Sequence, residues 1–368
     1  MKPLHVSFVI DNLSRAGTES QLLALIRSLD RSRVIPSLVL LDGMSDASQS
    51  LEPNNCDVLR LGVTKLFASN AAVAANRLRR AWQNEKPDVV VAYFLDSAYF
   101  SLPFAKWCGA KTVRVRNNLG YWTTAKHRWL GRAVRPFVDL VLTNSDDGRA
   151  ALVEEGHPEK RIVVIENGVD LDRFPQPQPV DLNKPTVRIG CVANLRPVKN
   201  IDGLVRAADS VCQQYPQVEF AVAGDGEQRK DLEQLIESRS LTNRFHLLGS
   251  CSDVPGFLQS CEIAVLPSHS EGMSNALLEF MAAGRAVLAT DVGANRKVLG
   301  ETGLLVPPRD DNALSAGLMD MLANPEEARH RGLHARQRVE RLYSRSAMVE
   351  RFTSFFQRLA NPHVRQAA

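Results

Sequence analysis

Short apolar runs alternate with amphipathic stretches along almost the whole chain. In the first half the runs fall at 5–10, 37–41, 89–94, 112–116, 140–143 and 161–165; a second series follows at 187–192, 219–223, 245–248, 263–266, 286–290 and 304–306. Runs this short and continuous predict buried parallel strands, and the helical stretches between most of them predict cover on both sheet faces. After Asp311 the chain reads as helical, with Pro325 suited to the first turn of one helix.

Between the two series, 174–185 carries Pro175, Pro177, Pro179 and Pro185 with little apolar content, so neither a helix nor a central strand fits. The pattern therefore predicts two Rossmann-like domains, over 1–176 and 186–345, joined by a Pro-rich linker over 177–185, with a last helix within 346–368 packing back on the first domain. Open parallel sheets bind ligands beyond the carboxyl ends of their strands, so the chemistry is expected there, facing a central cleft.

A length of 368 residues suits two such cores. With 44% hydrophobic and 23% charged residues the composition is that of a globular protein. The run 6–10 is too short for a signal segment, and no run approaches a membrane span, from which a cytoplasmic location is expected. Six scattered cysteines, without Cys-x-x-Cys or nearby histidines, read as buried free thiols. The net charge of +4 hides an asymmetry: from Lys65 to Arg135, 13 Lys or Arg face three acids, while the remainder is net acidic. An electropositive face on the first domain follows.

The most informative segment is Pro267-Ser-His-Ser-Glu-Gly-Met-Ser-Asn-Ala-Leu-Leu-Glu-Phe-Met-Ala-Ala-Gly284. Ser274 is placed to cap a helix ending near Gly284, whose Leu277, Phe280, Met281 and Gly284 form the stripe facing the sheet. Glu279 points away from that stripe. Glu271 and Gly272 precede the helix, and the backbone N–H groups of Met273, Ser274 and Asn275 come before its hydrogen-bond ladder starts, an arrangement that receives a diphosphate. Two flanking carboxylates suit the hydroxyls of sugar and ribose.

Glu271 and Glu279, inside Glu-Gly-x-Ser-Asn-x-Leu-Leu-Glu, resemble the signature of the family 4 retaining glycosyltransferases, which have the GT-B fold. Leu13-Ser-Arg-Ala-Gly-Thr-Glu-Ser20 is similar to that family's first loop, where Gly17 lets backbone approach the phosphates. Asn144-Ser145, Ile165-Glu-Asn-Gly-Val-Asp170 with Phe174, Gly224-Asp-Gly-Glu227 and Gly284-Arg-Ala-Val287 match further landmarks. Asn194-Leu-Arg-Pro-Val-Lys199 resembles the basic phosphate clamp, although many members have arginine in place of Asn194.

The resemblance implies sugar transfer from a nucleotide-diphosphate donor to a glycan or lipid-linked acceptor, with retention and without cofactor or metal. Arg196, Lys199 and the helix start would stabilise the leaving diphosphate. Where members often carry a histidine near the donor sugar, this chain has Arg116-Asn117, and Asn117 is the candidate sugar contact with Arg116 beside it. Catalytic roles thus fall on Arg196, Lys199, Glu271 and Asn117; donor contacts fall on Gly17, Arg196, Lys199, Gly272, Met273, Ser274, Asn275 and Glu279.

Competing motifs are weaker. Gly224-Asp-Gly226 lacks the third glycine of a dinucleotide loop. Asp170-Leu-Asp172 lies in a turn, and His330 with His334 suits an exposed helix better than zinc. The alternatives are another GT-B enzyme, an epimerase or a phosphorylase, separable by product analysis without acceptor, and a catalytically silent binding subunit, which any donor turnover excludes. No nucleic-acid motif accompanies the basic stretch. Its cations are interleaved with apolar residues (Arg77, Leu78, Arg79, Arg80 and Trp82; then Trp122, Lys126, Arg128, Trp129, Leu130, Arg132, Arg135 and Phe137), which suits peripheral contact with an anionic membrane.

Overall fold

The computed structural model describes residues 2–14, 16–63, 70–117, 131–174 and 176–360. It divides into two compact units, 1–167 with 345–368, and 168–344.

The first unit holds a seven-stranded parallel sheet of order β3-β2-β1-β4-β5-β6-β7: β1 Leu4–Ile10, β2 Val34–Leu40, β3 Asp57–Arg60, β4 Val89–Tyr93, β5 Lys111–Val115, β6 Leu140–Thr143 and β7 Ile162–Val164. Six of these strands correspond to the apolar runs. β3 escaped the pattern because an edge strand with an exposed first residue and three half-buried ones presents no continuous apolar run. One sheet face packs Val6, Phe8 and Ile10 against the helices Gly17–Ser28 and Arg345–Ala360. There Phe356 meets Phe8 edge-on at 6.0 Å between ring centroids. The other face packs Val9, Val90 and Val141 under the helices Ala71–Asn84, Leu95–Trp107 and Asp146–Glu154.

The second unit holds a six-stranded parallel sheet of order β10-β9-β8-β11-β12-β13: β8 Val187–Val192, β9 Val218–Ala223, β10 Phe245–Gly249, β11 Ile263–Leu266, β12 Ala286–Thr290 and β13 Leu304–Val306. In both sheets the first strand of the unit lies inside the sheet, and the order reverses beside it. That places loops from both sides of the switch at one sheet edge.

The change of unit falls at Asn167–Gly168, ahead of the Pro-rich stretch. Segment 177–185 packs on the second unit: Val180 and Leu182 are buried in its core, and Pro177 lies against Gly284. Arg285, 2% exposed, donates to the carbonyls of Ala283 and Cys261, both at 2.8 Å, and to that of Gln178. Prolines preclude ladder pairing there but not burial. Of the six free cysteines, Cys191 and Cys261 are buried and the other four half-buried.

Candidate functional site

Three loops meet at the carboxyl ends of β8, β11 and β12. After β8, residues 193–199 turn through the 3₁₀ segment Pro197–Lys199, and Asn200 takes a left-handed conformation (φ 53°) before the helix Ile201–Gln214. Asn200 is buried, and its Nδ2 donates to the Pro267 carbonyl beyond β11 at 3.1 Å, while the His269 N–H donates to the Val198 carbonyl at 2.8 Å. The β8 and β11 loops are thereby tied together.

That tie brings the Lys199 ammonium to Glu271, Nζ to Oε1 2.6 Å, and the Ser268 hydroxyl donates to the same oxygen at 2.6 Å. The pair is largely withdrawn from solvent, with side-chain exposures of 25% and 9%. Among the described residues Glu271 Oε2 has no hydrogen-bond partner. Arg196, three residues earlier, is exposed and forms no ion pair there.

Ser274 caps the helix Asn275–Ala282, its hydroxyl accepting from the Leu277 N–H at 3.3 Å. The loop before it rests on the turn after β12. The Ala294 N–H donates to the Gly272 carbonyl at 2.9 Å, and Gly293, at φ 52°, leaves room that a Cβ would fill within 2.1 Å of the Glu271 carbonyl oxygen. The Gly224 turn serves the other loop in the same way. A Cβ there would stand 1.9 Å from the Ala193 carbonyl oxygen, which accounts for this glycine without a dinucleotide.

Glu279 differs from the expectation of a solvent-facing carboxylate. Its helix is buried almost all round, Leu277, Leu278, Phe280 and Met281 being inaccessible, so even the position opposite the stripe is half-buried. Desolvation pushes its carboxyl up from 4.5 to about 7, opposed by the Arg173 charge. No hydrogen bond or ion pair engages that carboxylate among the described residues. Lys199, Glu271, Gly272, Met273, Ser274, Asn275 and Glu279 are thus gathered on one edge of the second sheet, with Arg196 close in sequence. Asn200, Ser268 and Gly293, which position them, were missed; only an asparagine following the clamp lysine and a glycine after β12 hinted at two of them.

The remaining candidates belong to the first unit. Gly17 is the first residue of the helix Gly17–Ser28 rather than part of a loop, and Ser14 fastens the buried Glu19 of that helix at 2.7 Å. Arg116 and Asn117 diverge across the sheet. Arg116 is buried and ion-paired with Glu155, whereas Asn117 lines a small hollow with Tyr93, Val115, Leu142, Met348 and Phe352, its Oδ1 buried without a partner.

Leu78 and Trp82, expected among the membrane-facing residues, belong to the core, and the Trp82 indole donates to Ser7. Arg79 lies 5.7 Å from the ring centre of Trp107, which is 64% exposed. Trp122, Lys126, Arg128, Trp129 and Leu130 lie outside the described residues. Among the described residues no helix is long and apolar enough to cross a membrane.

Residues 172–338 match the model of the glycosyl transferases group 1, and residues 15–173 that of glycosyltransferase family 4. The chain is 34% identical over 169 residues to the phosphatidylinositol N-acetylglucosaminyltransferase gpi3 subunit of Schizosaccharomyces pombe, covering 44% of this chain and 37% of that one. It is 29% identical over 229 residues to the lipopolysaccharide core biosynthesis mannosyltransferase LpcC of Rhizobium leguminosarum bv. viciae, covering 59% and 62%. These alignments span less than two thirds of either relative. The crystal structure of Anabaena HepE in complex with UDP and glucose superposes with a TM-score of 0.83 over 96% of this chain and 99% of that one, at 18% identity, a likeness of fold. With two consecutive family models spanning 15–338 and a GT-B neighbour along the full length, the chain belongs to the family 4, group 1, glycosyltransferases.

Proposed function

We propose that the protein transfers a sugar from a nucleotide-diphosphate donor to a glycan or lipid-linked acceptor, with retention of anomeric configuration and without a metal. The observation that carries this is the Lys199–Glu271 pair set beside the Ser274-capped helix start, with the partnerless, desolvated Glu279 on that helix. A helix start with adjacent cations accepts diphosphate oxygens. Glu279, once ionised, accepts from the ribose hydroxyls, and Glu271 Oε2 from a hydroxyl of the donor sugar.

As the sugar–phosphate bond breaks, charge builds on the diphosphate; Lys199 and Arg196 stabilise it more in the transition state than in the ground state. The acceptor hydroxyl then attacks the face the diphosphate leaves and passes its proton to the departing phosphate oxygen. The UDP and glucose of the HepE complex support a nucleotide-sugar donor, and LpcC supports a glycan acceptor.

A transfer assay over UDP, GDP and ADP sugars in EDTA, with the product anomer read by NMR, tests the proposal. Turnover with retention supports it. Inversion, or activity that needs added magnesium or manganese, refutes the corresponding part.

Peripheral contact with anionic membrane is part of the proposal, carried by exposed Val73, Arg77 and Arg80 on the helix Ala71–Asn84, with Arg132 and Trp107 also exposed. Co-sedimentation with anionic liposomes should fall with salt and in Arg77→Glu/Arg80→Glu; equal recovery with neutral vesicles removes it.

A further inference from the structure

β5 alternates in the ordinary way of a strand: Val113 and Val115 face the core containing Phe8, which turns Arg114 and Arg116 to the opposite sheet face. Both arginines are only 8% exposed. Arg116 pairs with Glu155, and Arg135 donates to the carbonyls of Glu155 and Gly156. The Arg114 guanidinium makes no hydrogen bond or ion pair among the described residues, and its Nε is buried. Arg116 Nη2 and Arg135 Nε are likewise buried and unused.

The chain shows elsewhere how it holds a structural arginine. Arg285, more buried still, has Nε, Nη1 and Nη2 each on a carbonyl. Nothing comparable satisfies Arg114. Among the described residues, three guanidinium groups stand against the Glu155 carboxylate, an excess of +2.

His157 lies in the same field: burial, then Arg135 and Arg114, push its imidazole down to about 4, so it stays neutral. Burial likewise holds the Arg114 guanidinium below its ordinary range. A guanidinium taken out of water without a counter-ion is costly, and the cost is recovered when an anion binds. Glycine backbone adjoins two of the guanidinium ends: a Cβ at Gly131 would lie 3.9 Å from Arg114 Nη1, and one at Gly156 3.7 Å from Arg135 Nη1.

We propose that Arg114, Arg116 and Arg135 form a binding site for a dianionic phosphate group in the first unit. The charge excess matches a phosphate monoester or diphosphate better than a carboxylate, and guanidinium forks suit phosphate oxygens in pairs. Identifying that phosphate as one carried by the acceptor rests on the proposed glycosyl transfer; phosphate binding itself does not.

The test titrates inorganic phosphate against the full chain at constant ionic strength, with and without saturating UDP, following the melting temperature. Phosphate should raise it in both conditions while chloride does not. Arg114→Met should abolish the rise and also melt higher than the parent in phosphate-free buffer, since a buried unpaired charge is gone. Arg114→Lys, which keeps the charge, should bind phosphate at least tenfold more weakly.

No phosphate-specific rise, a rise unchanged in both variants, or an Arg114→Met protein that folds but melts lower without phosphate overturns the proposal. Should Arg114→Met fail to fold, Arg114→Lys decides alone. A short-chain alkyl phosphate binding tenfold tighter than inorganic phosphate supports an acceptor-borne group, and the reverse supports free phosphate. Because the readout is binding, failure of the transfer assay leaves this result intact.

Discussion

Glu279 makes a prediction about stability that runs opposite to its proposed role in binding. Its carboxyl titrates near 7 in the folded chain and near the ordinary 4.5 when unfolded. Between those values the folded state holds a proton that the unfolded state has lost, so stability falls as pH rises from 4.5 to 7 and stays low above. A displacement of that size corresponds to roughly 3 kcal/mol at pH 8.

Glu279→Gln removes the ionisation while keeping the shape. It should therefore stabilise the ligand-free protein at pH 8 by up to about 3 kcal/mol, several degrees in melting temperature for a unit of this size, and by almost nothing at pH 4. The same variant should bind nucleotide diphosphates more weakly by on the order of 1.5–3 kcal/mol, the worth of a hydrogen bond to a charged group. Thermal melts of parent and variant at pH 4, 6 and 8, followed by UDP titration, read both effects. Equal melting temperatures at pH 8 would refute the desolvation argument; gained stability with unchanged UDP affinity would remove Glu279 from the site.

Lys199→Ala leaves the Glu271 carboxylate without its counter-ion, so it should lower the melting temperature of the folded protein and lower kcat/KM by about 1.5–3 kcal/mol in transition-state terms, measured by thermal melts and steady-state kinetics. Asn200→Ala loses the bond to the Pro267 carbonyl and keeps a Cβ in a left-handed backbone, so urea unfolding should show a loss of roughly 1–3 kcal/mol. Gly293→Ala drives a Cβ against the Glu271 carbonyl and should weaken UDP binding, read by calorimetry, more than it lowers the melting temperature.

Most of the architecture was legible because parallel strands covered on both faces write themselves as short apolar runs: 187–192 and 263–266 coincide with β8 and β11. What stayed hidden depends on contacts distant in sequence. Nothing local distinguishes Val180 and Leu182 as core residues amid prolines. The candidate site of the second unit was legible because Glu271, Ser274 and Glu279 fall within a single loop and helix. The meeting of Lys199 with Glu271 joins two loops 72 positions apart, and the divergence of Arg116 from Asn117 follows from strand alternation continued past the end of β5. Glu279 was placed on the correct side of its helix, but its desolvation comes from neighbours that periodicity does not count.

The first unit is discontinuous, and this orders events during synthesis. Val6, Phe8 and Ile10 are made before the second unit, yet Met348, Phe352 and Phe356, which pack on them, are made after it. On the ribosome the second unit, an uninterrupted segment, has all its parts before the first does. The earlier segment must wait with part of one hydrophobic face covered only by the helix Gly17–Ser28, a period in which a nascent chain is open to chaperones and to aggregation. A chain terminated after Ser344 would keep every residue of the candidate site in the second unit and lack the helix that completes the cover of Phe8.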